Sequence, residues 1–452
     1  MHTDFAGSMD KVKLKGTVPQ PGKTYTFLNT SYPCLNEKQL GMGETTISGR
    51  KELRNPNGMF YIEELQTLAL QNCSTARQAI RYMGDLIEKY GYGDSGECLT
   101  IADPKEVWLF EVFGEGPDKI GGVWAAQRVP DDHVSVSANI PRISKLNLNE
   151  PDYYMASKNV YDVAKKMGFW DGKEPFRFWK AYSGSNYFGE PKSFSIREYF
   201  LLNKIAPSLH LSYDAEELPF SVKPERQLSA TDISNLLTET YEGTEWDPIG
   251  NLKVARKMPG SEETDTIISP SANPWMAGEM SRMLNGIKAG AARTNRTVSV
   301  PQCAYSTVIQ LRDWLPDDIG GVVWFSVDNP AQSPRIPIFA GGTELPTPFS
   351  ICGQHRYDEK GIVWPFRRAN KLATLRWGTT KGEHLKAFKH FQQKGESELP
   401  FVEARYAEIL EKEGRDAARQ YLNDYTADFA GAAIQRWNDL GDKYWNMFGR
   451  GY

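Results

Sequence analysis

A side-chain amide at the end of an extended run is the feature of this sequence with most scope for chemistry. Asn139 follows Ser137 and Ala138, small residues that leave the amide room to point into a cleft. An asparagine after a strand also serves as a plain turn former. Asn36, in the string Cys34-Leu-Asn-Glu37, offers a second amide, with an Asx-turn as its structural alternative. Glu44 and Thr45 are the next candidates for holding a substrate, and a structural hydrogen-bonding role suits both equally. Arg142 and Arg312 carry planar paired donors that fit a substrate carboxylate or hold a nucleophile's charge. A framework ion pair is the alternative for each.

The five cysteines (Cys34, Cys73, Cys98, Cys303 and Cys352) are odd in number and contain no C-x-x-C pair, which argues against a disulfide scaffold or a zinc site. Each reads by default as buried apolar filler. Gly93-Asp-Ser-Gly96 has the look of the nucleophile loop of trypsin-like serine proteases, whose chemistry needs a His and an Asp upstream. Only His2 precedes Ser95, and Glu97 stands where a further glycine is usual, so the string reads as a helix-to-strand loop. His384 and His390 are six apart, about 120° around a helix, and do not share a metal-binding face. Glu262-Glu-Thr-Asp265 reads as a solvated loop. Neither a metal nor a cofactor is expected.

The elements that must position these groups follow from periodicity. Apolar residues at three- and four-residue spacing predict helices over 61–71 and 75–90, the second capped by Ser74 and stopped at Gly91. Alternation and tight turns predict strands at 99–102, 107–112, 123–128 and 134–138, an antiparallel meander. Residues 150–245 read as mostly helical, with a Ser229-x-x-Asp232 capping signal. A polar loop is expected over 246–275 and a helix near 276–289. Strands are expected at 297–300, 307–311, 322–327 and 336–339, and amphipathic helix beyond Pro365. Helices and strands come in blocks without βαβ alternation, which predicts an α+β architecture with antiparallel sheets. Residues 1–365 form the main domain, with a helical insertion near 150–245, and 366–452 a helical segment packed on it. Net charge is −4, which gives no basic field for nucleic acid or anionic lipid. No apolar run reaches the roughly 18 residues of a membrane span. Cytoplasmic and exported locations both remain open.

Several strings, in order, resemble the peptidase C69 (secernin-like) dipeptidases: Cys34-Leu-Asn-Glu-Lys-Gln-Leu40 with Gly43-Glu-Thr-Thr46; Lys89-Tyr-Gly-Tyr92 leading through Ser95-Gly-Glu97 to Ile101-Ala-Asp-Pro104; and Trp124 through Arg128-Val-Pro-Asp-Asp132 to Ser137-Ala-Asn139 and Arg142-Ile143. Tyr241-Glu-Gly-Thr244, Tyr305-Ser306, Gln310-Leu-Arg312 and Trp324-Phe325 continue the match. The resemblance implies an αββα sandwich of the N-terminal nucleophile hydrolases, two antiparallel sheets between helical layers, with extra C-terminal helices. It implies hydrolysis of dipeptides or short peptides by an N-terminal cysteine whose own α-amine is the base, since an α-amine titrates near pH 8. It also implies that Asn139 donates to the oxyanion, and that Asn36, in a string similar to one in bile-salt hydrolases and penicillin acylases, lines the pocket or supplies a second donor. A dipeptidase must recognise a free terminus, so a charged group is expected in the cleft.

Such enzymes open with Cys-Thr and two short strands, whereas this chain opens with Met1-His-Thr-Asp-Phe5 and enters the pattern late. The expectation is a chain lacking its nucleophile-bearing segment, with bared strand edges that favour poor solubility or homo-oligomers. An amidase for N-acyl amino acids or bile-salt-like conjugates, and a non-catalytic homologue or gene remnant, are the rival readings.

Overall fold

The computed structural model describes residues 14–186, 189–258, 260–351, 353 and 357–450; His2 and Cys352 lie outside the described residues. The chain divides into two compact units, one drawn from Met1–Gln227 and Ile309–Val322, the other from Leu228–Val308 and Val323–Tyr452. The boundary near 365 expected from the sequence lies inside the second of these.

In the first unit the strands are β1 (Phe27–Leu28), β2 (Leu35–Asn36), β3 (Gly41–Thr46), β4 (Glu97–Ala102), β5 (Val107–Phe113), β6 (Val123–Val129), β7 (Val134–Ser135) and β8 (Tyr154–Ala156). Seven of them form one sheet in the order β1-β2-β3-β4-β5-β6-β8, antiparallel at every pairing. Successive side chains of a strand point to opposite faces, and both faces here are covered. Beneath one face lie α1 (Ile62–Asn72) and α2 (Ala76–Tyr90), whose Leu65, Ala69, Ile80, Met83 and Ile87 pack against Met42, Leu99, Ile101, Trp108 and Phe110. Burying each such side chain contributes roughly 1.5–3 kcal/mol. The other face carries Ile47, Cys98, Leu109, Phe113 and Ala125 against Ile143, Val160, Val163, Phe178 and Tyr182. Two-sided burial explains why β5 reads as an apolar run and not as a clean alternation. Thr75, one residue beyond the expected Ser74, caps α2 by accepting from the Gln78 N–H, and Gly91 at φ 82° stops it.

The expected fourth meander strand is shorter than its pattern. Only Val134–Ser135 is strand, and it pairs outside the large sheet with β9 (Ser221–Val222). The place beside β6 belongs to β8. The reason is that the backbone after Ser137 bonds to buried carboxylates and not to a neighbouring strand, as described below. Residues 150–245, expected to be mostly helical, hold the short helices α3 (Val160–Lys166), α4 (Phe178–Tyr182), α5 (Ile196–Ile205) and α6 (Ala230–Leu237), with β8, a 3-10 turn (Pro207–Leu209), β9 and irregular chain making up the rest.

The second unit holds α6, capped by Ser229 and Asp232 as expected. Residues 246–275 are not all loop: β10 (Lys253–Lys257) and β11 (Thr264–Ile268) form an exposed antiparallel hairpin. After α7 (Gly278–Ile287), residues 297–300 are irregular, because the Ser299 hydroxyl bonds Asn329 and Ala331 and its N–H bonds the Glu239 carbonyl. Strands β12 (Tyr305–Gln310), β13 (Val322–Val327) and β14 (Ile336–Phe339) form a three-stranded sheet; α8 (Asp317–Gly320), which follows β12 in the chain, is assigned to the first unit. After α9 (Thr347–Ser350), helices α10 (Val363–Thr374), α11 (Trp377–Glu413) and α12 (Arg415–Phe448) pack together, and α12 also packs on β14. The architecture is α+β with an antiparallel main sheet.

Candidate active site

Thr45, Cys98 and Glu111 stand directly opposite one another on β3, β4 and β5, so their side chains form a row on one face of the sheet. The segment 137–143 crosses over this row. Ser137 Oγ lies 3.2 Å from Thr45 Oγ1 and donates to Cys98 Sγ at 3.4 Å. At the far end of the row, one Glu111 oxygen accepts from the backbone N–H of Arg142 and from that of Ile143, the latter at 3.1 Å. Burial pushes the Glu111 carboxyl up to about 7, against the pull of those two N–H bonds and of the Arg142 charge.

Asn139 sits at the crest of this crossing with φ 61°, a left-handed conformation that asparagine tolerates better than most residues. Its Nδ2 donates to the Thr46 carbonyl at 2.9 Å, and its Oδ1 accepts from Arg197 Nη1 at 2.9 Å. A guanidinium only donates, so the amide can face one way only. One of its two N–H bonds is committed to Thr46, and the other has no partner among the described residues. The preceding residue is fixed as well, since the Ala138 N–H donates to Glu198 Oε1 at 2.9 Å. Glu198 and Arg197 open α5, where Ser195 and Glu198 form a reciprocal capping box, and Glu198 is fully buried. Two buried carboxylates thus hold the backbone on either side of Asn139. With one free donor on a fixed amide above small polar side chains, the arrangement can stabilise negative charge developing on a carbonyl oxygen.

The remaining candidates divide. Thr45 belongs to this row. Glu44, one residue earlier, faces the opposite side of the sheet, where Thr46 Oγ1 donates to its Oε1 at 3.0 Å. Asn36 is fully buried and its amide is spent on framework: Nδ2 donates to the Leu70 and Cys73 carbonyls, both at 2.8 Å, and Oδ1 accepts from the Lys38 and Leu40 N–H groups. That is an Asx-type turn tying β2 to the end of α1. Arg142 is buried, and its guanidinium donates to the Ser193, Leu218 and Pro219 carbonyls. Arg312, likewise buried, donates to Gly320 and Ile319 carbonyls. Both arginines tie loops together within the first unit.

The described cysteines lack the setting of a nucleophile. Burial pushes Cys34 up to about 12, Cys73 and Cys303 up to about 11, and Cys98 well above the ordinary thiol value. His384 is also structural: its Nε2 lies 2.9 Å from the Gln332 carbonyl and its Nδ1 3.3 Å from the Tyr444 hydroxyl, and burial lowers it to about 4. Glu111, Arg197, Glu198 and Ser137 were not singled out from sequence. Only Ser195-x-x-Glu198 carried a readable signal, the spacing of a capping box.

A model of peptidase family C69 matches residues 8–390. Among curated proteins the chain is similar to a probable dipeptidase of Latilactobacillus sakei, 25% identical over 348 residues, which covers 73% of this chain and 63% of that protein. It is also similar to a probable dipeptidase of Salmonella dublin, 27% identical over 281 residues (62% of this chain, 54% of that protein). A probable dipeptidase B of Lactococcus lactis is 26% identical over 313 residues (68% and 56%). The matches thus span between 54% and 63% of the length of these relatives. With the family model running through β3–β6, the Asn139 crossing and the three-stranded sheet, the chain belongs to peptidase family C69.

Proposed function

We propose that the protein hydrolyses dipeptides or short peptides, with Asn139 donating its free N–H to the oxyanion formed as the scissile carbonyl is attacked. The observation that carries this reading is the amide locked between Thr46 and Arg197 with one donor uncommitted. The names of the relatives, probable dipeptidases, point the same way. A preorganised donor of this kind is worth roughly 3–4 kcal/mol in the transition state. In this reading the nucleophile is the thiolate of a cysteine at the mature N-terminus, and the α-amine of that residue takes the thiol proton. The deep burial of Cys34, Cys73 and Cys98 supports a nucleophile other than these. The two-sheet sandwich of the N-terminal nucleophile hydrolases is part of the same proposal, supported by the helix-covered antiparallel sheet of the first unit.

The test is a dipeptide panel assayed on the protein isolated from its native source, with its first residue established by terminal sequencing. Expected are hydrolysis, loss of activity on alkylation of an N-terminal cysteine, and a fall in kcat of about 100- to 1000-fold in Asn139→Ala. Hydrolysis unaffected by Asn139→Ala, or absent for every dipeptide, overturns the proposal.

A further inference from the structure

The segment 138–143 is a short bridge held at both ends by carboxylates. At the near end Glu198 accepts the Ala138 N–H on Oε1, and the N–H and hydroxyl of Ser195 on Oε2, so both of its oxygens are engaged. At the far end Glu111 engages one oxygen only. Its Oε1 takes the Arg142 and Ile143 N–H groups, while Oε2 is buried with no hydrogen-bond partner among the described residues.

Between Asn139 and the first of those N–H groups stand only Ile140 and Pro141, both buried. Proline fixes its own φ near −65° and confines the residue before it to extended backbone, so the link is stiff. A shift of the Arg142 N–H therefore reaches Asn139. The strand side does not give, because β5 is paired along its length with β4 and with β6, where Cys98 and Ala125 stand opposite Glu111.

The cation that answers the fully buried Glu111 is the Arg142 guanidinium, which also faces Glu198 and Glu217. Burial outweighs Arg142 and the two N–H bonds, so the carboxyl exchanges its proton at about 7. The other titratable groups packed on this face, Cys98, Tyr161 and Tyr182, are pushed upward by burial and keep their protons there. Hydrogen bonds to an ionised acceptor are roughly twice as strong as those to a neutral one. With a proton on Oε2, the oxygen left open, Glu111 still accepts both N–H groups but holds them less firmly.

We propose that Glu111 is the positioning residue that sets how firmly the Asn139 donor is held, and that it does so through its charge. Ionised, it clamps residues 142 and 143 and the amide stands fixed beside Thr45 and Ser137; protonated, it lets the bridge loosen and the amide with it. The proton is exchanged with solvent, and Glu111 acts through the backbone without touching substrate. The consequence for rate rests on the peptidase reading; the coupling of Glu111 to the Asn139 amide does not.

The experiment follows the side-chain amide of Asn139 by NMR in the full chain, made with isotope-labelled asparagine and assigned by its loss in Asn139→Ala. The wild-type amide shift should titrate with a midpoint near 7, together with the carboxyl carbon of Glu111. In Glu111→Gln, a permanently neutral isostere that still accepts both N–H groups, the amide should keep its low-pH position throughout. Dipeptide kinetics give a second readout. The kcat of Glu111→Gln should be about ten-fold below wild type well above the midpoint and within about two-fold well below it, with KM little changed. A wild-type Asn139 signal that ignores pH, or one that moves equally in Glu111→Gln, overturns the proposal without any kinetics. Unequal midpoints for the two wild-type groups do the same, so the test survives a variant that fails to fold. Hydrolysis with one and the same pH profile in both proteins sinks the coupling and leaves the peptidase reading standing. An amide that follows Glu111 in a protein that cleaves no dipeptide does the reverse.

Discussion

Arg197 Nη1 donates to Asn139 Oδ1 at 2.9 Å, and this contact decides which way the Asn139 amide faces. A guanidinium that draws electron density toward the amide oxygen also makes the opposite N–H a stronger donor. Arg197→Met is therefore expected to lower kcat on dipeptides by about ten-fold, with KM little changed, because the donor acts mainly in the transition state. The double variant with Asn139→Ala should be no slower than Asn139→Ala alone. Additive losses would mean that Arg197 acts elsewhere.

Glu198 caps α5 and holds the Ala138 N–H with the same carboxylate. Glutamine cannot serve both ends, since its amide nitrogen would meet an N–H on one side. Glu198→Gln should cost about 1–3 kcal/mol of stability and should also impair catalysis by loosening the backbone before Asn139. Urea denaturation measures the first and kcat the second; an unchanged midpoint would contradict the two-ended role.

The first unit's sheet and helices were legible because their residues are buried by periodic side chains: α2 and β4–β6 lie within a residue or two of the pattern. The crossing segment 136–143 was not, because its backbone partners are the side chains of Glu111 and Glu198, residues distant in sequence. Alternation over Val134–Ala138 therefore imitated a strand that is mostly absent. Asn139 was visible from its small neighbours and the family resemblance, while its orienting Arg197, 58 positions away, left no local trace. Asn36, Arg142 and Arg312 show the converse. Their residue types fit a ligand, and only their bonds to backbone carbonyls in the folded chain reveal that the framework uses them.

Glu111 makes stability depend on pH. Its carboxyl is pushed from the ordinary 4.5 up to about 7 in the folded protein, so the folded state favours the protonated form. The associated stability is fully present below about pH 4.5 and is lost as pH rises through 7, on the order of 3 kcal/mol. Glu111→Gln can still accept from Arg142 and Ile143 through its carbonyl. The variant's unfolding free energy should lack the decline that the wild type shows across this window. Parallel curves for the two proteins between pH 5 and 7.5 would place the shift elsewhere.

Thiol labelling separates framework cysteines from a nucleophile. Cys34, Cys73 and Cys98 are buried and their thiols are held above the ordinary value, so little thiolate is present at pH 7.5. Iodoacetamide should leave all three unmodified in the native protein and reach them in urea, as read by peptide mass spectrometry. Rapid native labelling of Cys98, with loss of activity, would make it a contender for nucleophile.

Helix α2 approaches the sheet through a glycine. A Cβ on Gly84 would stand 2.5 Å from Trp124 Cζ2 and 2.7 Å from Cε2, and Trp124 is itself confined by Phe110, ring centroids 5.4 Å apart. Alanine at a helix interior normally gains about 1 kcal/mol over glycine, but overpacking against a rigid indole costs about 1–3 kcal/mol. The close approach should decide the sign, so Gly84→Ala is expected to destabilise the protein. Trp124→Leu should then cost less in the Gly84→Ala background than in wild type, because it removes the atoms the new methyl meets. Denaturation of the four proteins of this cycle measures the coupling; additive effects, or a stabilised Gly84→Ala, would show that α2 can move off the sheet at no cost.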